Sequence, residues 1–218
     1  MDEKKISFII PVNNENEYFQ CITLINSLIV PNDFKIEIIP IRNAASMCEA
    51  YNQGLLLSNA KYKVYLHQDT YILNLEFIKN ILDIFNKNKK IGLIGLCGAK
   101  NLPKNGIWWE DPNTIGKVFE KNGDFFGVLE FNEVKNDYEI VDCVDGLIII
   151  TQYDVKWRED IFDGWHFYDI SQSFEFKKYG YLTAIPKQIT PWCMHTRGIT
   201  DMNVYEEYRQ KFINSYTL

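Results

Sequence analysis

Apolar and polar positions alternate along the first half of the chain in two distinct rhythms. "ISFIIPV" (Ile6–Val12) is a continuous apolar run closed by Pro11, the pattern of a buried strand. The stretch from Glu15 to Val30 instead spaces Tyr18, Ile22, Ile25 and Ile29 at helical intervals. "FKIEIIPI" (Phe34–Ile41) reads as a strand, and the segment from Ser46 to Ala60 as a helix. Ser46 is its N-cap and Glu49 stands three residues on, the spacing of a capping box. A strand from Tyr62 to Asp69, a helix from Leu75 to Asn88 and a strand from Ile91 to Gly98 complete a βαβαβαβ order. That order predicts an α/β fold with a largely parallel sheet covered by helices.

After Gly98 the rhythm breaks. Residues Lys100 to Tyr138 are rich in Gly, Asn and Asp and carry the aromatic pairs Trp108-Trp109 and Phe125-Phe126, which predicts an elaborated excursion with a hairpin near Asn122-Gly123. "DGLIIIT" (Asp145–Thr151) restores a buried strand. A loop then runs into a helix ended by Gly180, followed by the strand "LTAIPKQI" and a charged C-terminal helix from about Asn203.

Composition narrows the functional classes. The chain has 218 residues, 46% hydrophobic and 15% aromatic, enough to bury a sizeable core. Its net charge of -6 argues against a general nucleic-acid binder, which needs a basic face to neutralise phosphates. The five cysteines are odd in number and form no CxxC pair, so neither a disulfide framework nor a zinc ribbon is expected, and a cytoplasmic location is the simpler reading. The N-terminal apolar run is too short for a signal-peptide core or a membrane span, which leaves only peripheral association with a membrane open. There is no GxGxxG after the first strand, no GxxxxGK[ST] and no GxSxG, which disfavours a dinucleotide dehydrogenase, a P-loop ATPase and an α/β-hydrolase.

In open α/β sheets the ligand crevice lies beyond the carboxyl ends of the strands. Three predicted strand ends turn polar together: Asn13-Asn14-Glu15, Arg42-Asn43 and His67-Gln68-Asp69. His67 precedes Asp69 by two residues, and His195 lies in "PWCMHTRG"; carboxylate and imidazole from different strand ends suit a divalent ion. Asp169 opens a predicted helix behind Trp165, His166 and Phe167. It reads either as a helix cap or as a general base desolvated by those aromatics, and composition alone favours the cap.

The ordered set "FIIPVNNENEY", "AYNQGLLLSNAKYKVYLHQDTYI", "DGLIIITQ", "FDGWHFYDISQSFEFKKYGY" and "MHTRG" resembles glycosyltransferase family 2 enzymes of the GT-A fold, and is similar to the small streptomycin-biosynthesis-type group among them. The resemblance runs from Ile6 to about Gly198. It implies a single domain with a mixed, mainly parallel sheet: residues 1–98 as a nucleotide-binding half, 99–198 as an acceptor and catalytic half, and 199–218 as a C-terminal helix. The implied reaction is inverting transfer of a sugar from a nucleotide-diphosphate sugar, UDP favoured, to a hydroxyl on a glycan or small molecule, with Mn2+ or Mg2+ as cofactor.

Matched position by position, the resemblance makes Pro11, Val12, Asn13, Glu15, Asn43, Asn52, His67, Gln68 and Trp165 donor-binding residues. Asp69 and His195 become metal ligands, and Asp169 the base. The chain departs from the family pattern at His67, which stands where a carboxylate is usual, and at Tyr168 and Ser171, which replace acidic residues. Those departures keep a second expectation open, a nucleotide-sugar or glycan-binding protein of the same fold without turnover. A sugar nucleotidyltransferase is disfavoured, because "PVNNENEY" supplies neither the glycine nor the arginine that its phosphate loop needs.

Overall fold

Strand β1 (Asp2–Val12) begins ahead of its apolar run because its charged start is held at the surface. Asp2 pairs with Lys35, and Lys5 reaches Glu37 and Asn59. Helix α1 (Glu15–Ile25) is capped by Asn14, whose side chain accepts from the Asn16 and Glu17 N–H groups. It stops short of the expected Val30: the chain turns at Asn26, Ile29 is left exposed, and Tyr18, Cys21 and Ile25 form the buried stripe. Strand β2 (Lys35–Arg42) leads to α2 (Met47–Leu57), where Ser46 caps the Glu49 N–H at 3.1 Å. The Glu49 carboxylate returns to the Ala45 N–H at 2.7 Å, one residue earlier than in a regular capping box.

Strands β3 (Ala60–Leu66) and β4 (Thr70–Ile72) follow, then α3 (Phe77–Lys87). The single strand expected over Ile91–Gly98 is two, β5 (Ile91–Ile94) and β6 (Cys97–Ala99). The break is at Gly95, where the Val144 side chain fills the space a Cβ would need, 2.4 Å away. The excursion contains a 3-10 turn at Trp108–Glu110 and the hairpin β7 (Thr114–Asn122) and β8 (Phe125–Glu130), turning at Gly123 with φ +58°. It ends in β9 (Tyr138–Val141) and β10 (Cys143–Val144). The remaining elements are β11 (Ile148–Thr151), α4 (Tyr168–Lys178), β12 (Leu182–Pro186), β13 (Cys193–Thr196) and α5 (Met202–Ser215). The computed structural model describes residues 1–196, 198 and 201–216, so Arg197 of the MHTRG motif lies outside the described residues.

The strands form a seven-stranded sheet, β2-β1-β3-β11-β5-β12-β9, and a six-stranded one, β10-β6-β7-β13-β4 with β8 on β7. In the larger sheet β11 and β9 run against the other five strands. The fold is therefore mixed α/β, but the expected mainly parallel pairing does not hold: β11 is inserted in reverse between β3 and β5, half of the pairings in the large sheet are antiparallel, and in the small sheet only β7 and β13 pair in parallel.

Helices cover both faces of this sheet. On one, Tyr62 stacks on Phe85 of α3 at 5.8 Å; on the other, Tyr65 meets Tyr51 of α2 and Trp157, each at 5.0 Å. Each such aromatic buried from water contributes about 1.5–3 kcal/mol. Two glycines let the α2 and α4 layer lie close. A Cβ on Gly54 would meet Ile9 at 2.2 Å, and one on Gly92 would meet Phe176 at 2.6 Å. Among the described residues no helix is long and apolar enough to cross a membrane.

Candidate active site

The carboxyl ends of β1, β2 and β3 open on one edge of the large sheet, and the polar residues after them line a common cavity of about 420 Å³. Pro11, Val12, Asn13, Asn43, His67, Gln68, Asp69 and Trp165 are all on its wall. Asn43 adopts left-handed backbone, φ 61°, an angle that Asn tolerates better than most residues. Gln68 braces two loops against each other. Its Oε1 accepts the Asn13 and Asn14 N–H groups at 2.9 and 3.0 Å, and its Nε2 donates to Glu17 at 3.1 Å.

Two residues expected at this cavity are engaged elsewhere. Glu15 forms an ion pair with Arg42 at 2.7 Å on the exposed start of α1. Asn52 is buried and bonded both ways to the Trp157 backbone, at 3.0 and 2.9 Å, so its amide fastens α2 to the following loop.

A second cavity of about 880 Å³ shares Asn13, Met47, His67, Asp69 and Trp165 with the first, so the two are one cleft. Its far wall comes from the second half of the chain: Trp108, Trp109, Glu120, Asp145, Asp169, His195 and Tyr205. His195 arrives on β13, opposite Thr70 of β4, which sets its ring beside Asp69. His195 Nε2 is 3.5 Å from Asp69 Oδ1, and His67 Nδ1 is 3.9 Å from the same oxygen. One ligand atom from each of the three residues lies within 4.8 Å of the others. Nitrogen and oxygen ligands bind such ions as Zn2+ at about 2.0–2.2 Å, so donors around one ion stand roughly 3–3.5 Å apart. The 3.5 Å between His195 and Asp69 meets that spacing, His67 at 3.9 Å stands somewhat wider, and one carboxylate with two imidazoles is a donor set that fits a divalent ion.

The electrostatics of the cluster follow from burial and mutual charge. Burial pushes His67 below its usual value, with Asp69 opposing. Burial acts the same way on His195, but its bond to Asp69 outweighs that and lifts it. Asp69 is held below the ordinary carboxylate range, because the two imidazoles overcome its burial. The other ring nitrogen of His67, Nε2, hydrogen-bonds the Tyr168 hydroxyl.

Asp169 lies one residue into α4. The N-cap position belongs to Phe167, in left-handed backbone with φ 61° and no side-chain cap bond. The Asp169 carboxylate accepts backbone N–H groups, including those of Ile170 and Gly146. It is half-buried, and that burial, reinforced by the Asp145 carboxylate, pushes it up to about 7. Cap and candidate base are thus one group: it takes amide hydrogens at the helix start and still faces the cleft. His166 also lines the second cavity, half-buried against Tyr205 and Tyr208.

Asp145 is the acidic residue that reading strand ends misses. It precedes β11, and because β11 runs in reverse, its beginning lies on the same edge as the ends of β1–β3: Ile148 pairs with Leu66, and the His67 N–H donates to Leu147 O at 3.2 Å. The "DG" before "LIIIT" is its only sequence signal.

Compared with known proteins, a family model described as "Glycosyltransferase like family" matches residues 7–216. No curated protein matches the chain in sequence. Among solved structures the mannosyltransferase PcManGT of Pyrobaculum calidifontis, in complex with GDP-Man and Mn2+, superposes with a TM-score of 0.57 at 10% identity, over 97% of this chain and 61% of that one. TarS 1-349 of S. aureus gives 0.56 at 12% identity in its UDP complex, over 96% and 66% of the two chains. Its UDP-GlcNAc complex gives 0.57 at 12%, over 93% and 60%. This chain therefore spans less than two thirds of the length of each, and the likeness at these identities is one of fold.

Proposed function

Since the chain belongs to the glycosyltransferase-like family, we propose that its cleft moves a sugar from a nucleotide-diphosphate donor to an acceptor hydroxyl, with inversion at the anomeric carbon. One observation carries the reading: Asp69 and His195, 3.5 Å apart, share a cleft with Asp169, whose carboxyl is raised to about 7. The donor class draws support from the structural neighbours, which hold UDP, UDP-GlcNAc or GDP-Man, and UDP-sugars are the first donors to test.

In this reading Pro11, Val12, Asn13 and Asn43 form the nucleoside end of the cleft, on the half contributed by residues 1–98, and Gln68 keeps their loops in register. Asp69 and His195 hold a divalent ion, which when bound neutralises the negative charge that develops on the departing diphosphate. Trp165, 46% exposed at the junction of the two cavities, offers a ring face to a sugar.

Asp169 takes the proton of the acceptor hydroxyl as its oxygen bonds to the anomeric carbon. The bond to the diphosphate breaks with its electron pair leaving on the phosphate oxygen. A base near 7 is well matched to this task, being largely ionised at cellular pH yet basic enough to draw the proton. The acceptor, a glycan or small molecule, enters through the wider cavity formed by the second half.

The test is a thermal-shift panel of UDP-, GDP-, CDP- and dTDP-sugars with and without Mn2+, run on the wild type and on Asp69→Ala. A ligand that binds only the folded state stabilises it by RT ln(1 + [L]/Kd), so millimolar nucleotide reveals weak sites. The expected result is a rise with one nucleotide that needs the ion and is lost in Asp69→Ala. No rise with any of the four refutes the donor site. A rise indifferent to Mn2+ and to Asp69→Ala removes the metal from it.

A further inference from the structure

The family pattern expects a carboxylate at position 67 and another at position 168; this chain has histidine and tyrosine, and the two touch. His67 Nε2 and the Tyr168 hydroxyl are hydrogen-bonded across the cleft, although 101 residues separate them in sequence. The contact is tightly enclosed. Tyr168 is 4% exposed, its ring lies 5.9 Å from that of Tyr51 and 6.3 Å from Trp157, and its hydroxyl rests on Gly146, where an added Cβ would be only 2.1 Å away. The hydroxyl therefore has little freedom to leave His67, and the imidazole is fixed by one nitrogen while the other faces Asp69 at 3.9 Å.

We infer that Tyr168 is a positioning residue for His67, and that the pair replaces the missing carboxylate with an imidazole ligand, making a two-histidine, one-carboxylate site that selects a transition ion over Mg2+. The inference deepens the donor-site reading and rests on it for the purpose of the metal, though not for its presence. With the proton on Nε2 and donated to the Tyr168 oxygen, the lone pair of Nδ1 is free for a metal; with the proton on Nδ1 it is not. An outer partner that holds one ring nitrogen in this way fixes both tautomer and ring orientation.

The donor set then decides the ion. Mg2+ prefers oxygen ligands and near-ideal octahedral geometry, whereas imidazole suits Mn2+ less strongly than Co2+ or Zn2+ but accepts all three. Replacing a carboxylate by a neutral imidazole also removes one negative charge from the site, which weakens a hard ion most. The tyrosine and histidine are thus complementary substitutions: His67 supplies the ligand and Tyr168 the restraint that a flexible surface histidine lacks.

The experiment uses the full chain, stripped of metal by chelation, in three forms: wild type, Tyr168→Phe and His67→Gln. Tyr168→Phe deletes one oxygen and keeps the ring that packs on Tyr51, and circular dichroism with thermal melting verifies that each variant is folded. Co2+ and Mn2+ affinities are measured by calorimetry, with Mg2+ as competitor. Pulsed electron paramagnetic resonance on bound Mn2+ counts coordinated imidazole nitrogens.

The expected result is two imidazole nitrogens in the wild type and one in His67→Gln. Affinity should fall 10–100-fold in Tyr168→Phe, the usual effect of losing an outer-shell partner, and a hundredfold excess of Mg2+ should fail to displace Mn2+. One nitrogen in the wild type, unchanged affinity in both variants, or ready displacement by Mg2+ each overturns it. Sugar transfer that persists in such a protein leaves the glycosyl-transfer reading intact. Two bound nitrogens in a protein that transfers no sugar sustain the metal site and refute that reading instead.

Discussion

Asp169 keeps a proton in the folded protein that the unfolded chain has already released. Its ordinary value is 3.8, and burial with the Asp145 carboxylate raises it to about 7. Between those limits the native state binds more protons than the unfolded one, so the contribution of this residue to stability falls as pH rises from about 4 to about 7 and is level above that. Removing the charge relieves the cost. Asp169→Asn should melt a few degrees above wild type at pH 8 and level with it at pH 3.5, given roughly 2–4 °C per kcal/mol for a chain of this size. Equal melting at pH 8 would mean that the carboxylate bears no such cost. The same variant should retain nucleotide-sugar binding while turnover drops by about 10²–10⁴. In the wild type the rate should decline below about pH 7 as the base is protonated. A rate flat from pH 5 to 8 excludes Asp169 as the group that takes the proton.

At the scale of elements, the cleft is made where strands and helices end. The ends of β1, β2 and β3 were legible in the sequence because each apolar run stops at a polar cluster, and Asp69 and Asn13 were found on that basis. The Ser46 cap of α2 was equally plain. Two features were hidden by non-local pairing. In "IGLIGLCG" the only local hint that the strand divides is Gly95 itself, and the side chain packed against it, Val144, comes from far along the chain. Nothing in "DGLIIIT" tells that β11 runs in reverse, which is what carries Asp145 to the working edge. The tyrosine at position 168 looked like a lost acidic residue until the fold set it against His67.

Gly146 belongs to this scale as well. Gly146→Ala puts a methyl 2.1–2.7 Å from the hydroxyl end of an enclosed ring, so Tyr168 must shift away from His67. Metal affinity in Gly146→Ala should fall to a level similar to that in Tyr168→Phe, as measured by Co2+ titration. An affinity equal to wild type would show that the ring can move without consequence.

For the molecule as a whole, the C-terminal helix ties the loop that leads into α4 to the rest of the fold. Tyr205 and Phe212 of α5 pack on Phe167, with ring centroids 4.9 and 5.5 Å away, and the Tyr208 hydroxyl donates to Asp163 at 3.0 Å. Phe167 caps α4, so the position of Asp169 depends on a helix more than thirty residues further along the chain. Phe212 and Phe85 are both fully buried, and truncating either to alanine should cost about 3–5 kcal/mol in denaturant unfolding. Only Phe212→Ala should also lose turnover under conditions where both variants remain folded. Equal loss from both would mean that α5 stabilises the fold without orienting the site.

Of the five buried cysteines, Cys48 lies on α2 beside the large sheet, Cys21 lies on α1 with its thiol donating to Thr70 O of β4 at 3.4 Å, and Cys97, Cys143 and Cys193 lie on β6, β10 and β13 of the small sheet. Burial raises all five thiols, so an alkylating reagent finds none of them until its surroundings open. Each sheet therefore carries its own native clock, and the order in which the five are labelled in pulsed alkylation tells whether the two sheets come apart together or in turn.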